Sequence, residues 1–225
     1  MKKRSILAAA AIAYIFSAQP GAYAQDGQTA AEISAASAVI PLADFDLGKA
    51  LDGERRQWNV VPDRTVSCGA AIEHSRAVST DERGSLAIYR SALLKDADIN
   101  LRFKAVAGKS DQGGGIALRM ASPTSYYVVQ IDALRDRARL VLVKNGVFEE
   151  IAGIDADVTI DQWHTLAVRA QDERFTVYLD GVWLFTGYDK TLSRAGRIGL
   201  WAKSDSVTRF DHVTIAPIPP PELWK

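Results

Sequence analysis

Aromatic and polar side chains occur at every second position along several apolar segments of this sequence. Because successive side chains of a β-strand point to opposite faces, on each strand these residues would lie on the outer face while their aliphatic neighbours point into a core. The residues on the polar face are Arg119, Tyr126, Gln130, Asp132, Trp201 and Lys203. Aromatic rings beside fixed donors and acceptors are typical of small-molecule sites. The spacing therefore indicates a face that could bind a ligand, the alternative being a sheet face that is solvated or covered by loops.

A second set of aromatic residues lies in the stretch DQWHTLAVRAQDERFTVYLDGVWLFTG, residues 161–187. With a turn at Asp180-Gly181, Tyr178 pairs with Trp183, and the faces alternate along both strands. The expected core face comprises Val177, Leu179, Val182 and Leu184, and the expected outer face comprises Tyr178, Trp183 and Phe185. Tyr178 and Trp183 are therefore further candidates for ligand binding. The alternative is that this hairpin lies on the opposite sheet, with its aromatics covered by the N-terminal segment.

These residues belong to a chain with a β pattern from Pro41 to about Pro217, and no sustained helical stripe occurs in that range. Asn145-Gly146 and Asp180-Gly181 are typical two-residue hairpin turns, since type I′ turns need positive φ at both central positions. Many short strands at regular spacing predict an all-β antiparallel sandwich or barrel. Periodicity does not show which of the strands share a sheet.

The sequence divides into four parts. Residues 1–24 combine a basic start, a short apolar run and the tripeptide AYA, which is the pattern of a secretory signal peptide. Residues 25–40 form an Ala/Ser-rich spacer, residues 41–217 form the β domain, and residues 218–225 form a Pro-rich extended tail. The protein is therefore expected in the periplasm or outside the cell. A retained membrane anchor is the weaker alternative, because a membrane span needs about 20 apolar residues.

The charge balance argues against binding to nucleic acid. The chain has 27 Lys and Arg residues against 27 Asp and Glu residues, and loss of the three cations in the signal leaves a net charge of −3. No later apolar run is long enough to span a bilayer. The single cysteine, Cys68, leaves no partner for an internal disulfide, and its apolar surroundings predict a small buried side chain.

Four segments carry a resemblance to a known family: GGIALRMASPTSYYVVQID, KNGVFEEIA, DQWHTLAVRAQDERFTVYLDG and GRIGLWAKSDSVTRFDHVTI. Together they resemble the concanavalin A-like lectin/glucanase superfamily, and most of all its 3-keto-disaccharide hydrolase-type domain, which is glycoside hydrolase family 16-like. The resemblance implies a two-sheet jelly roll with a carbohydrate groove on its concave sheet. Aromatic rings stack on the apolar faces of sugar rings, and fixed donors and acceptors bind sugar hydroxyls, so the resemblance makes the polar face described above the candidate sugar-binding face. The chain departs from family 16 glucanases proper, because none of its glutamates begins the motif Glu-x-Asp-x-x-Glu. The retaining mechanism of that carboxylate pair is therefore not encoded.

The resemblance implies a possible catalytic set on the same face. A 3-keto sugar has an acidic proton next to its ketone, so a base and a cation that stabilises the enolate could drive elimination before hydration. The candidates are Asp132 and Asp205 as carboxylates and Lys203 as the cation. The alternatives are a non-catalytic, lectin-like carbohydrate-binding protein and a cell-envelope interaction module.

The resemblance also implies a structural calcium ion between the N-terminal segment and the last strand. Asp44, Asp46 and Asp211 offer the hard oxygen ligands that Ca²⁺ prefers. The alternative is an aspartate that forms hydrogen bonds at a strand end. The histidines are scattered without His-x-x-x-His spacing, which argues against a zinc site.

Overall fold

The computed structural model describes residues 38–48, 57–75, 84–203 and 205–220. The predicted signal peptide, most of the predicted spacer and the last five residues of the predicted tail lie outside these ranges. Within them the chain forms β-strands and one short 3₁₀ turn, Leu42–Asp44. No helical segment that the structure describes has the length and hydropathy of a membrane span.

The strands lie between residues 45 and 217. Their bounds are β1 Phe45–Asp46, β2 Trp58–Pro62, β3 Ala70–His74, β4 Ser85–Tyr89, β5 Ala97–Ala107, β6 Gly113–Ser122, β7 Ser125–Asp132, β8 Arg137–Lys144, β9 Val147–Asp155, β10 Trp163–Gln171, β11 Arg174–Leu179, β12 Val182–Tyr188, β13 Arg197–Ala202 and β14 Val207–Pro217.

These strands form two seven-stranded sheets. The front sheet has the order β1-β4-β13-β6-β7-β8-β9, and the back sheet has the order β12-β11-β10-β5-β14-β3-β2. The strand pairs within each sheet are antiparallel. The predicted all-β antiparallel sandwich is therefore confirmed, and strands β6, β7 and β13, which carry most of the predicted ligand face, share the front sheet.

The main core lies between the two sheets. Every second residue of β5, from Ala97 to Ala105, points into it, and Phe175 and Phe210 fill its centre. Burying each large apolar side chain contributes about 1.5–3 kcal/mol. The alternation that the sequence shows is thus the direct cause of the two-layer arrangement.

Both predicted hairpin turns are confirmed. Asn145 and Gly146 have φ angles of 52° and 80°, and Asp180 and Gly181 have φ angles of 50° and 80°. Positive φ at both central residues is the property of a type I′ turn, which explains why Asn-Gly and Asp-Gly occur at these positions.

A bulge overturns the predicted orientation of Arg119. The register of β6 against β7 shifts between Leu118 and Ser122, and Arg119 has a φ of 48°. A bulge turns the residues that follow it to the other face. Arg119 is therefore 1% exposed beside the main core, while Met120 packs on the outer face of the front sheet. The prediction that Arg119 lies on the polar outer face was wrong.

A second bulge overturns the predicted orientation of Phe185. The register of β11 against β12 shifts so that Tyr178 pairs with Trp183 but Val177 pairs with Phe185. Leu184 is the extra residue of this bulge. Phe185 is therefore buried in the main core, and Val182 is 64% exposed instead of lying on the core face.

The end of the predicted spacer pairs with the last strand of the back sheet. Val39 forms a bridge with Thr214 of β14, and the Ile40 N–H donates to the Val213 carbonyl.

Cys68 lies in the turn between β2 and β3 and is exposed there. Its thiol donates to the Ala70 carbonyl. The prediction of a buried Cys68 was wrong, because the apolar stretch around it is interrupted by this turn.

Candidate functional site

The outer face of the front sheet carries a second apolar cluster. Its members are Ala117, Met120, Tyr126, Val128, Val141, Val143 and Trp201, with Leu86 and Ile88 packed against them. A sheet face that is not part of the main core is usually polar. This apolar floor therefore distinguishes the front sheet from a simply solvated surface.

One row of residues crosses the front sheet beside this floor. Trp201 pairs with Gly115, Gly115 with Gln130, and Gln130 with Arg139. A Cβ atom on Gly115 would collide with the backbone carbonyl of Val129, so glycine is required there. The row therefore has an aromatic residue at one end, two polar residues at the other, and no side chain between them.

A groove of about 300 Å³ lies over the polar end of this row. Its lining residues are Gln130, Arg139, Val141, Phe148, Glu150 and Lys203. Small-molecule sites are typically clefts of at least about 300 Å³ with a few fixed polar groups. The groove combines one aromatic ring, one aliphatic side chain and donors and acceptors, which is a composition suited to a sugar.

Polar contacts fix the side chains on the β8–β9 side of the groove. Arg139 Nη2 donates to Gln130 Oε1 at 2.8 Å, and Arg139 Nη1 lies 3.7 Å from Glu150 Oε2. Arg137 Nη2 donates to Glu150 Oε1 at 2.7 Å. Glu150 Oε2 makes no hydrogen bond to the residues that the structure describes, so this oxygen is the groove's available acceptor.

Four charged side chains form a network at the other end of the groove. Lys203 Nζ lies 2.9 Å from Asp111 Oδ1, and Arg135 Nη1 lies 3.0 Å from the same oxygen. Arg135 also pairs with Asp132 Oδ2, and Asp132 Oδ1 accepts from the Leu134 N–H at 3.0 Å. The structure thus brings the predicted Asp132 and Lys203 into one network, joined through Asp111 and Arg135.

Asp205 lies beside this network but has another role. Its carboxylate accepts hydrogen bonds from the backbone N–H groups of Lys109, Ser110 and Asp111, at 2.8, 2.9 and 3.0 Å. Three such donors fix the loop before β6. Asp205 therefore positions the loop that carries Asp111 and does not line the groove.

Trp201 and Tyr126 lie on the predicted face but are buried. Trp201 is 2% exposed and Tyr126 is 1% exposed. The Trp201 indole is packed so tightly that a Cβ on Gly84 would collide with it, and its Nε1 is buried without a hydrogen-bond partner in the described ranges. Both side chains support the groove floor, and the ring that reaches the groove is Phe148.

The other predicted ligand residues lie elsewhere. Tyr178 and Trp183 pair on the outer face of the back sheet, as the alternative placement of that hairpin held, but Trp183 is 58% exposed and therefore not covered. Arg119 lies beside the core, where its Nε donates to the Lys95 carbonyl at 2.7 Å and its guanidinium stacks 4.9 Å from the centre of the Phe175 ring. Burial lowers the pKa of Arg119, while the nearby Asp96 opposes that change. None of these three residues contacts the groove.

The predicted calcium ligands do not form one site. Asp46 is an exposed residue of β1 that pairs with Arg90 and caps Gly48, whereas Asp211 is a buried residue of β14 whose carboxylate lies 3.7 Å from Arg102. In the described parts of the chain, no three His, Cys, Asp or Glu side chains are close enough to share a metal ion. These residues therefore do not fit a shared ion. Calcium binding stays a prediction, which a fall in melting temperature on adding chelator would support.

Four residues of this site were not among the candidates that the sequence indicates: Asp111, Arg139, Phe148 and Glu150. The alternation in RLVLV, residues 139–143, places Arg139 on the outer face of its strand, so the sequence contains enough information to predict this residue. Glu149 and Glu150 are adjacent, and the register of the β8–β9 hairpin, which pairs Glu150 with Val141, decides that Glu150 faces the groove. Asp111 lies in a loop, where periodicity gives no information about orientation.

Residues 40–216 match the profile of a family described as the 3-keto-alpha-glucoside-1,2-lyase-like domain. This range begins at Ile40, whose N–H donates to β14, and ends at Ala216, one residue before the end of β14. No curated protein matches the sequence.

The fold is similar to those of several solved structures. The carbohydrate-binding module CBM66 from Bacillus subtilis superimposes with a TM-score of 0.58 and 21% identity, over 71% of this chain and 94% of that chain. The GH43 protein BlXynB from Bacillus licheniformis gives a TM-score of 0.54 and 12% identity, over 80% and 40% of the two chains. Domain 4 of AbnA, a GH43 extracellular arabinanase from Geobacillus stearothermophilus, in complex with arabinotriose, gives 0.51 and 15%, over 75% and 79%. At these identities the likeness shows a shared fold.

Proposed function

The chain belongs to the 3-keto-alpha-glucoside-1,2-lyase-like domain family, and on that premise we propose that its front-sheet groove binds a 3-keto-glycoside and eliminates the substituent at C1. The observation that supports this most strongly is that one groove is lined by both a cation, Lys203, and a carboxylate, Glu150. Elimination next to a ketone needs a base for the proton and a positive group for the developing enolate.

The reaction follows from these two groups. The Glu150 carboxylate takes the proton from C2, and the electrons of the C–H bond form an enolate whose oxygen lies on C3. The Lys203 ammonium stabilises that oxygen. The enolate then collapses to form a C1–C2 double bond while the bond from C1 to the leaving oxygen breaks. Glu150 returns its proton to the leaving oxygen, so the products are an enone and an alcohol, and addition of water to the enone gives the free 3-keto sugar.

Glu150 suits the role of base better than the aspartates that the sequence suggested. Both oxygens of Asp132 are engaged, one by Arg135 and one by the Leu134 N–H. The Asp205 carboxylate holds three backbone N–H groups. Glu150 Oε2 has only a cation at 3.7 Å, so it can accept a proton without breaking a hydrogen bond to the described residues.

A second function, sugar binding without catalysis, is favoured by a different observation. Arg137 and Arg139 flank Glu150, and such an arrangement also serves to orient an acceptor for sugar hydroxyls. A binding protein needs an aromatic ring beside fixed polar groups, and Phe148 together with Gln130 and Arg139 meets that need.

Turnover separates the two functions. The protein is incubated with 3-keto-α-glucosides and, in parallel, with the parent glucosides, with and without calcium, and the free 3-keto sugar is measured. Release from the 3-keto-glucosides alone supports the lyase. Binding of these sugars without release supports the second function, and neither binding nor release contradicts both.

We propose further that the protein acts outside the cytoplasm, in the periplasm or after secretion. The support is the signal pattern of residues 1–24, which lie outside the described ranges. Expression of the full chain with a C-terminal tag should give an exported protein that begins at Gln25. An N-terminus at Met1 in the cytoplasmic fraction would contradict export.

A further inference from the structure

The groove's polar end contains an amide whose orientation is fixed by its neighbour. Gln130 is 5% exposed, and its Oε1 accepts a hydrogen bond of 2.8 Å from Arg139 Nη2. Arginine has only donors, so the oxygen of the amide must face Arg139 and the NH₂ group must face away from it. The Gln130 amide therefore acts as a donor toward the groove.

Space for a ligand exists beside this donor. Gly115, the neighbour of Gln130 on β6, contributes no side chain, and the next residue of the row, Trp201, is buried in the floor. Gln130 Nε2 has no hydrogen-bond partner among the residues that the structure describes. A nearly buried NH₂ group that lines an open groove is a binding group for an acceptor, because leaving it unpaired when a ligand excludes water costs free energy.

A second donor lines the same groove. The Lys203 ammonium has donors and no acceptor, and its Nζ lies 2.9 Å from Oδ1 of Asp111, which does not line the groove. Two hydrogen-bond donors can therefore reach a ligand in the groove: Gln130 from β7, and Lys203 from the position directly after β13. The groove's available acceptor, Glu150 Oε2, comes from β9 on the other side.

We propose that Gln130, oriented by Arg139, selects a keto group over a hydroxyl group in this groove by donating to the keto oxygen together with Lys203. This inference rests on the proposed function and identifies the residue that sets its substrate class. A ketone oxygen accepts two hydrogen bonds and donates none, so it matches two donors. A hydroxyl group also has a hydrogen of its own, which finds no acceptor between an amide NH₂ group and an ammonium.

Replacement of the donor by an acceptor gives the sharpest test. Gln130→Glu keeps the size of the side chain and its contact with Arg139 but presents a negative oxygen to the groove. Dissociation constants for methyl 3-keto-α-glucoside and methyl α-glucoside are measured by calorimetry, and the heat released by turnover of the substrate is subtracted from the heat of binding. Gln171→Glu, the same change at the end of β10 in the back sheet, is the matched control.

The wild-type protein and Gln171→Glu should prefer the keto sugar by at least about tenfold. Gln130→Glu should lose that preference or invert it, with binding of the parent glucoside retained. Arg139→Lys, which still offers a donor to Oε1, should keep more of the preference than Arg139→Met. If Gln130→Glu folds poorly, the comparison of Arg139→Lys with Arg139→Met still tests whether an oriented Gln130 sets the preference for the keto sugar.

Failure of this inference differs from failure of the proposed function. If the wild type prefers the keto sugar and Gln130→Glu prefers it equally, Gln130 is not the selecting residue although the groove acts on 3-keto sugars. If the wild type binds both sugars equally, no selection occurs and the inference is wrong. If the wild type neither binds nor converts a 3-keto-glucoside, the proposed function fails and this inference fails with it.

Discussion

Lys203 Nζ lies 2.9 Å from Asp111 Oδ1, and this contact fixes the ammonium at the end of the groove. The Asp111 side chain is only 9% exposed, and the same oxygen accepts from Arg135 at 3.0 Å. Asp205 holds the backbone of the Asp111 loop. A flexible lysine is thus held by a rigid carboxylate, which is the arrangement that a group acting on a developing enolate needs.

We expect Asp111→Asn to lower turnover of a 3-keto-glucoside by about tenfold or more, because Lys203 loses the charge that positions it. The free energy of unfolding should fall by only about 1–2 kcal/mol, since the Lys203 side chain of the Lys203–Asp111 pair is partly exposed. Steady-state kinetics and urea unfolding measure the two effects. Asp157→Asn, at an exposed position, serves as the control. Unchanged turnover in Asp111→Asn would mean that Lys203 needs no positioning.

Glu150→Gln should lower kcat by about 100-fold or more, because an amide cannot accept the C2 proton. The adjacent Glu149→Gln provides a matched control, since Glu149 is exposed and pairs with Leu142 instead of facing the groove. Asp132→Asn tests the rival base at the other end of the groove. A large loss in Asp132→Asn with normal kcat in Glu150→Gln would move the base to Asp132.

Trp201→Ala should destabilise the fold by about 3–5 kcal/mol, the usual cost of removing a buried aromatic side chain. Trp183→Ala should cost less than about 0.5 kcal/mol, because Trp183 is 58% exposed on the back sheet. Equilibrium unfolding in urea compares the two variants. A Trp201→Ala protein of unchanged stability that no longer binds sugar would show that Trp201 is an exposed ligand platform instead of part of the floor.

Stability should fall as the pH falls below about 6.5, and His74 should account for part of that loss. Burial lowers the pKa of His74 below its usual value of 6.5, although its Nδ1 lies 2.6 Å from the Ser206 carbonyl. Below pH 6.5 the unfolded chain binds a proton at this residue and the folded chain does not, so the stabilisation present above 6.5 is lost as the pH falls toward the folded-state pKa.

His74 can contribute at most about 1.4 kcal/mol per pH unit to this loss, because it binds at most one more proton in the unfolded chain than in the folded chain. Urea unfolding at pH 6.5 and 5.5 gives the difference for the wild type and for His74→Gln. The variant should be less stable at pH 7.5 but should lose less stability on acidification. An equal loss in both proteins would assign the acid sensitivity to other groups.

The sequence predicted those features that depend on local chemistry. The two type I′ turns and the outward face of β7, with Tyr126 and Gln130, follow from turn residues and from strict alternation. Alternation fails where a bulge inserts a residue, as it does at Arg119 and at Leu184, and a bulge depends on the partner strand. The neighbours Glu149 and Glu150, by contrast, could have been told apart from the Asn145-Gly146 turn, because the register it sets pairs Glu150 with Val141 on the groove face.

Burial was also beyond what periodicity shows. Trp201 was correctly placed on the outer face of its strand, but this face carries its own apolar cluster, so the ring is covered instead of exposed. Asp111 and Lys203 are 92 positions apart in the chain and meet only because β6 and β13 are neighbours in the front sheet. Contacts of this kind come from topology.

The fate of the C2 hydrogen tests the central claim most directly. A 3-keto-α-glucoside labelled with deuterium at C2 is converted by the protein in ordinary water, and the 3-keto sugar released at early times is examined by mass spectrometry. The labelled free sugar without protein is the control for spontaneous exchange. Elimination breaks the C2–D bond, so we predict a product without deuterium and slower conversion of the labelled substrate. A product that retains its deuterium would contradict the account, because the C1 bond would then be cleaved without removal of the C2 hydrogen.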